Sequence, residues 1–98
     1  MILEFHPAAQ DEFAAAAEYY EMAVPGLGNR FLLAVRRSTE IALQHPDAGS
    51  RRGTSGRQLV VTGFPYDIVY RPSGEVVFIL AVAHHHRRPG YWRARVHG

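Results

Sequence analysis

The side chains best equipped for chemistry gather near the C terminus. His84-His85-His86-Arg87-Arg88 is followed by a Pro89-Gly90 break and then Tyr91-Trp92-Arg93. Histidine exchanges protons near neutral pH, and arginine stabilises charge developing on a phosphoryl group. Rings of tyrosine and tryptophan can stack on bases. Together with Arg51, Arg52, Arg57 and Arg71, these residues describe a basic surface suited to single-stranded RNA, from which a metal-free ribonuclease could be assembled. The plainer alternative is solubilising arginines beside an aromatic anchor. For Trp92 the anchor is the better reading, because large aromatics are mostly buried. On a strand, His84 and His86 share a face, as a pair of metal ligands would. Zinc needs three or four ligands, and no third candidate has a diagnostic spacing. No metal and no cofactor are expected. No Ser/His/Asp, phosphate-loop or metalloprotease motif is present.

Charge is unevenly distributed. All 11 basic residues are arginine, which binds phosphate or carboxylate through a planar fork. A GC-rich genome gives the same bias without functional meaning. Five acids and no arginine precede residue 25, whereas eight arginines and two acids lie from Arg51 onward. That asymmetry predicts an anionic partner at the C-terminal half. The 98 residues suffice for one domain, 1–98, with a small two-layer core. There is no cysteine, which fits a reducing cytoplasm. No apolar run is long enough to span a bilayer. Pro7, Gln10, Asp11 and Glu12 interrupt any leader-like start. A cytoplasmic protein without a membrane partner is expected.

The elements that must position the basic tip follow from the pattern. Ile2 to Phe5 reads as a short strand. Pro7 suits a first helical turn, with His6 at the cap, although histidine is a poor capping residue. Ala8 to Ala23 is helix-favouring, with Ala9, Phe13, Ala16, Ala17 and Tyr20 on an inner face. Asp11 and Glu12 complement the helix dipole. Val24-Pro25-Gly26-Leu27-Gly28 stops this helix, and Asn29 to His45 predicts a second, ended by Pro46. Leu27, Phe31, Val35, Ile41 and Ala42 give it a broad apolar side, wider than one small sheet must cover. An apolar groove between the helical hairpin and the sheet edge is therefore expected. Asp47 to Gly56 reads as a surface loop. Three strands follow: Arg57 to Thr62, Phe64 to Arg71, and Glu75 to about His84. Val76 to Ala83 has no polar side chain, as in a strand buried on both faces. Helices early and strands late predict an α+β fold. An N-terminal strand precedes an antiparallel helical hairpin, which packs on a C-terminal antiparallel β-meander.

In order along the chain stand Ala14 to Tyr20 with Glu18-Tyr19-Tyr20, Pro25-Gly26-Leu27-Gly28, and Phe31 with Val35. After these come His45-Pro46, Phe64-Pro65-Tyr66-x-Ile68-x-Tyr70, Ala81-Val82-x-His84, and Arg87-x-Pro89-x-Tyr91-Trp92. Through these motifs, across almost its whole length, the chain resembles the RelE/ParE superfamily of bacterial type II toxins, also known as plasmid stabilisation proteins. The resemblance implies a compact toxin that arrests growth and is neutralised by a cognate antitoxin. The antitoxin would wrap the toxin and bind DNA itself, so the toxin meets DNA only indirectly. Phe31, Val35, Arg57 and Arg71 are the candidate antitoxin contacts.

The resemblance leaves the target open. RelE-like members cleave messenger RNA in the ribosome, and ParE-like members inhibit DNA gyrase. RelE-like nucleases often carry an arginine where Asp67 stands here, and an acid there opposes a scissile phosphate. A nuclease would have to draw on Arg51, Arg52, His84, His85, Arg87 and Tyr91. The Phe64-Pro65-Tyr66 segment and the Arg87-x-Pro89-x-Tyr91-Trp92 tail look more ParE-like. His86, Arg87, Arg88, Tyr91, Trp92 and Arg93 are the candidate target contacts. Three readings follow: a non-enzymatic gyrase inhibitor, favoured by Asp67; a metal-independent, ribosome-dependent endoribonuclease; and a non-toxic remnant that only binds the antitoxin.

Overall fold

Alternation of apolar side chains and glycine-marked turns builds the molecule around its last strand. The computed structural model describes residues 1–53 and 56–97. The order is β1 (Ile2–Phe5), α1 (Pro7–Ala23), α2 (Leu27–Gln44), β2 (Ser50–Arg52), β3 (Gly56–Val61), β4 (Tyr66–Ser73) and β5 (Val76–His84), ending in a 3₁₀ turn at Arg93–His97. The sheet runs β1-β5-β4-β3-β2. The α+β class and the helical hairpin are as expected. The sheet is larger than the meander, because β1 joins β5 in parallel (Ile2 opposite Val76, Phe5 opposite Ile79). Within the expected loop 47–56, Ser50–Arg52 pairs antiparallel with β3 instead. All three of its residues are exposed, so no apolar alternation marks it as a strand. Loop positions 54 and 55 lie outside the described residues.

Side-chain and backbone contacts fix the helix ends. His6, despite its poor ranking as a cap, accepts a 3.0 Å bond from the Ala8 amide through Nδ1. The Glu21 carboxylate, near the end of α1, accepts from Gly26 N at 2.9 Å and Gly28 N at 3.1 Å. A negative group at that point satisfies free amides and complements the α2 dipole. The second helix consequently starts at Leu27 rather than Asn29. Gly28 lies where the helices cross, and a Cβ there would stand 2.6 Å from the Ala17 carbonyl.

Helices cover one face of the sheet. Ala9, Ala16, Phe31, Val35, Ala42, Val61, Ile68, Tyr70, Val77, Ile79 and Val82 form this core. Phe13, Ala17 and Tyr20 pack against it, as the inner face of α1 predicts. A second cluster, Val69, Leu80, Ala81, Ala83 and Trp92, occupies the opposite face. A bulge explains how β5 serves both. Val69 pairs with Ala81 and Tyr70 with Ile79, so Leu80 is skipped. Leu80 and Ala81 thus belong to the outer cluster in succession, breaking strict alternation.

Tyr70 anchors the connection from α2 into β2. Its hydroxyl donates to the Pro46 carbonyl and accepts from the Gly49 amide, both at 2.9 Å. Of the broad apolar side of α2, Phe31, Val35 and Ala42 are buried, while Ile41 is exposed. Leu32 and Leu33 are exposed as well, with Arg36 and Arg37 among them along the helix.

Candidate functional site

The basic tip does not project away from the fold. After β5 the chain turns through His84–Arg88 and returns over the outer sheet face as a strap. Trp92, 4% exposed, nails the strap down within the outer cluster. Its ring leaves no room at Gly56, where a Cβ would come within 3.0 Å. Trp92 is therefore a structural anchor and not a free target-binding ring.

A carboxylate from the first helix fastens the strap at its other side. Glu12 accepts from Arg95 Nη1 at 2.8 Å and Arg95 Nη2 at 3.0 Å, from the Tyr91 hydroxyl at 2.8 Å, and from the Val82 amide at 3.1 Å. The helix-dipole role expected for Glu12 gives way to this long-range one, because the side chain faces β5. Burial first, and the bond to Glu12 second, push the Tyr91 hydroxyl pKa up. The bond to Glu12 is likewise the main cause of the raised Arg95 pKa. The Arg87 guanidinium lies over the Tyr91 ring, 3.8 Å from its centroid.

Between strap and strands lies a cleft of about 550 Å³. Arg52, Arg87, Arg88 and Arg93 contribute to its lining, and Val60, Val69 and Ala83 supply apolar walls. A hydrogen-bonded relay crosses it. Arg52 Nε donates to Gln58 Oε1, Gln58 Nε2 donates to Asp67 Oδ2, and Asp67 Oδ1 lies 3.0 Å from His85 Nε2. Asp67 is nearly buried, at 9% exposure. Both its oxygens are engaged, one by Gln58 and one by His85.

The other sequence candidates disperse. His84 and His86 do lie together, with ring centroids 4.9 Å apart and the His86 amide donating to His84 Nδ1 at 3.0 Å, but His85 turns to Asp67, so the pair gains no third ligand from it. Among the described residues, no group of three or more His, Cys, Asp or Glu side chains comes together as metal ligands would. Arg51 is exposed on β2 but does not line the cleft. Phe31 and Val35, expected at an antitoxin contact, are 0% and 1% exposed and form core between helix and sheet. They offer no surface to a partner. Arg57 holds the α2–β2 connection, donating to Gly49 O at 2.9 Å and Asp47 O at 3.2 Å. Arg71 is exposed beside a smaller cleft that also takes in Glu4, His6 and Phe78. Sequence reading missed Gln58 entirely, and gave Glu12 only a local role. One signal was available for Glu12: it is a carboxylate one position from the inner-face Phe13, where it can reach the sheet.

A helical hairpin on a mixed five-stranded sheet, with a basic strap across the far face, defines a small α+β class. The chain matches the family described as "ParE toxin of type II toxin-antitoxin system, parDE" over residues 3–89. It belongs to that ParE toxin family. The fold is also similar to a solved structure described as "Chromosomal ParDE TA system from P. aeruginosa". The TM-score is 0.73 and the identity 18%, covering 86% of this chain and 95% of that one. Comparison with curated proteins found no match. Among the described residues, no helix is long and apolar enough to cross a membrane.

Proposed function

We propose that this toxin arrests growth in the cytoplasm by inhibiting DNA gyrase without enzymatic chemistry, and that a cognate antitoxin neutralises it. One observation carries the choice of target. Tyr91, the best hydroxyl for an RNA-cleaving site, donates to Glu12 and has Arg87 over its ring. A group so committed is a brace and not a catalyst. His86, Arg87 and Arg88 remain exposed at the turn and are the contacts proposed for gyrase. The antitoxin is proposed to reach Arg71 and the exposed surface of α2.

A gyrase supercoiling assay with purified toxin tests this. Inhibition that the antitoxin reverses, and that Arg87→Ala with Arg88→Ala weakens, is the expected result. No inhibition by folded toxin that still arrests cells would reject it.

A second reading, ribosome-dependent messenger cleavage, draws support from the His85–Asp67 pair, since a carboxylate can orient an imidazole for proton transfer. It requires new messenger 5′ ends in arrested cells, whereas gyrase inhibition requires a DNA-damage response. A chain retained only to bind the antitoxin would cause no growth defect when expressed alone.

A further inference from the structure

We propose that the cleft beneath the strap is a receptor for an extended acidic peptide with small apolar side chains, contributed by a protein partner. The inference goes beyond the gyrase reading, because it concerns the chemistry of the occupant and holds whichever partner supplies it. Charge complementarity carries it first. Four guanidinium groups, those of Arg52, Arg87, Arg88 and Arg93, line the cleft with one carboxylate, Asp67. Arg87 also lies 3.9 Å from Glu12 and Arg52 donates to Gln58, which leaves Arg88 and Arg93 as the cations most open to a ligand. Guanidinium forks match carboxylates in geometry as well as in sign.

The same cations would accept phosphates, but the rings of the cleft do not suit a nucleic acid. Single strands are held by bases stacked on open aromatic faces. Trp92 is 4% exposed, Tyr91 is covered by Arg87, and the ring of His85 is tied to Asp67. What remains open is aliphatic. Val60 is 60% exposed on β3 and contributes to the cleft wall. Alternating acidic and apolar side chains of an extended peptide would meet the arginines and Val60 in turn. The relay crosses from β2 to β5, three strand spacings or about 14 Å. About four extended residues cover that distance.

Trp92 is the only tryptophan and lines the cleft, so its emission reports occupancy directly. The probes are an end-blocked hexapeptide of alternating Glu and Val, and hexauridylate, titrated into the full chain at low salt. The peptide should shift Trp92 emission saturably, and hexauridylate should not. Arg88 and Arg93 are exposed, and their side chains make no ion pair among the described residues, so Arg88→Ser with Arg93→Ser should leave the circular dichroism spectrum unchanged. That variant should weaken peptide binding by about tenfold, as expected for the loss of two solvent-exposed ion pairs. Tighter binding of hexauridylate than of the peptide would assign the cleft to nucleic acid and overturn the proposal. So would peptide binding that the double variant leaves unchanged, or no saturable response to either probe at millimolar concentration.

Discussion

Arg95 grips Glu12 with both terminal nitrogens, at 2.8 and 3.0 Å, and each of these side chains is less than one-fifth exposed. The pair joins the first helix to the last turn of the chain. Removing one partner leaves the other largely desolvated without its counter-charge. Glu12→Ala should therefore destabilise the fold by about 3 kcal/mol. Arg95→Ala should cost a similar amount, and the double variant clearly less than the sum. Urea unfolding of the four proteins measures the coupling. Additive losses would mean that the two side chains act separately.

Alkaline pH supplies a second test of the same junction. The Tyr91 pKa is raised above its usual 10.0 in the folded state, first by burial and then by Glu12. The folded chain thus holds this proton more tightly than the unfolded chain does. The associated stability is complete below about pH 10 and is lost as pH rises through the folded value. Tyr20 and Tyr66 are raised in the same direction, chiefly by burial. Melting temperature should be flat near neutrality and fall above pH 10, less steeply in Tyr91→Phe. An identical slope in that variant would remove Tyr91 from the account.

Tyr70→Phe keeps the buried ring and deletes only its hydroxyl. Two backbone groups, Pro46 O and Gly49 N, then lose their partner. A loss of about 2 kcal/mol is expected. Hydrogen exchange at the Gly49 amide should quicken in the variant. Unchanged exchange there would show that the hydroxyl does not hold the connection.

Gly28→Ala should also destabilise, although alanine favours helices in general. The added methyl meets the Ala17 carbonyl at 2.6 Å, and backbone cannot move aside as a side chain can. A cost of about 1–3 kcal/mol is expected from such overpacking. Stabilisation by this substitution would mean that the helices do not cross so closely.

Much of this architecture was legible in residue order. The alanine-rich first helix and the glycine break at 26–28 were readable from local chemistry. So was the run Val76 to Ala83, whose burial on both faces the two clusters explain. The short strand Ser50–Arg52 was not, since polar exposed residues carry no period and pair only because β3 presents an edge. Phe31 and Val35 were misassigned to a partner surface because an apolar helix face looks the same whether a sheet or another protein covers it. Trp92 was expected as an anchor, but its partners across the sheet required coordinates. Asp67 looked like an isolated acid opposed to phosphate binding. Gln58, which neighbours it only through strand pairing, changes that picture.

The parallel pairing of β1 with β5 has a temporal consequence. β1 aligns with β5, Ile2 opposite Val76, so its partner does not exist until synthesis has passed residue 76. Contacts so distant in sequence are slow to close. Glu12 waits longer still, for Arg95. A chain made only as far as the helical hairpin therefore lacks the outer face, which closes only after Trp92 and Arg95 have been added.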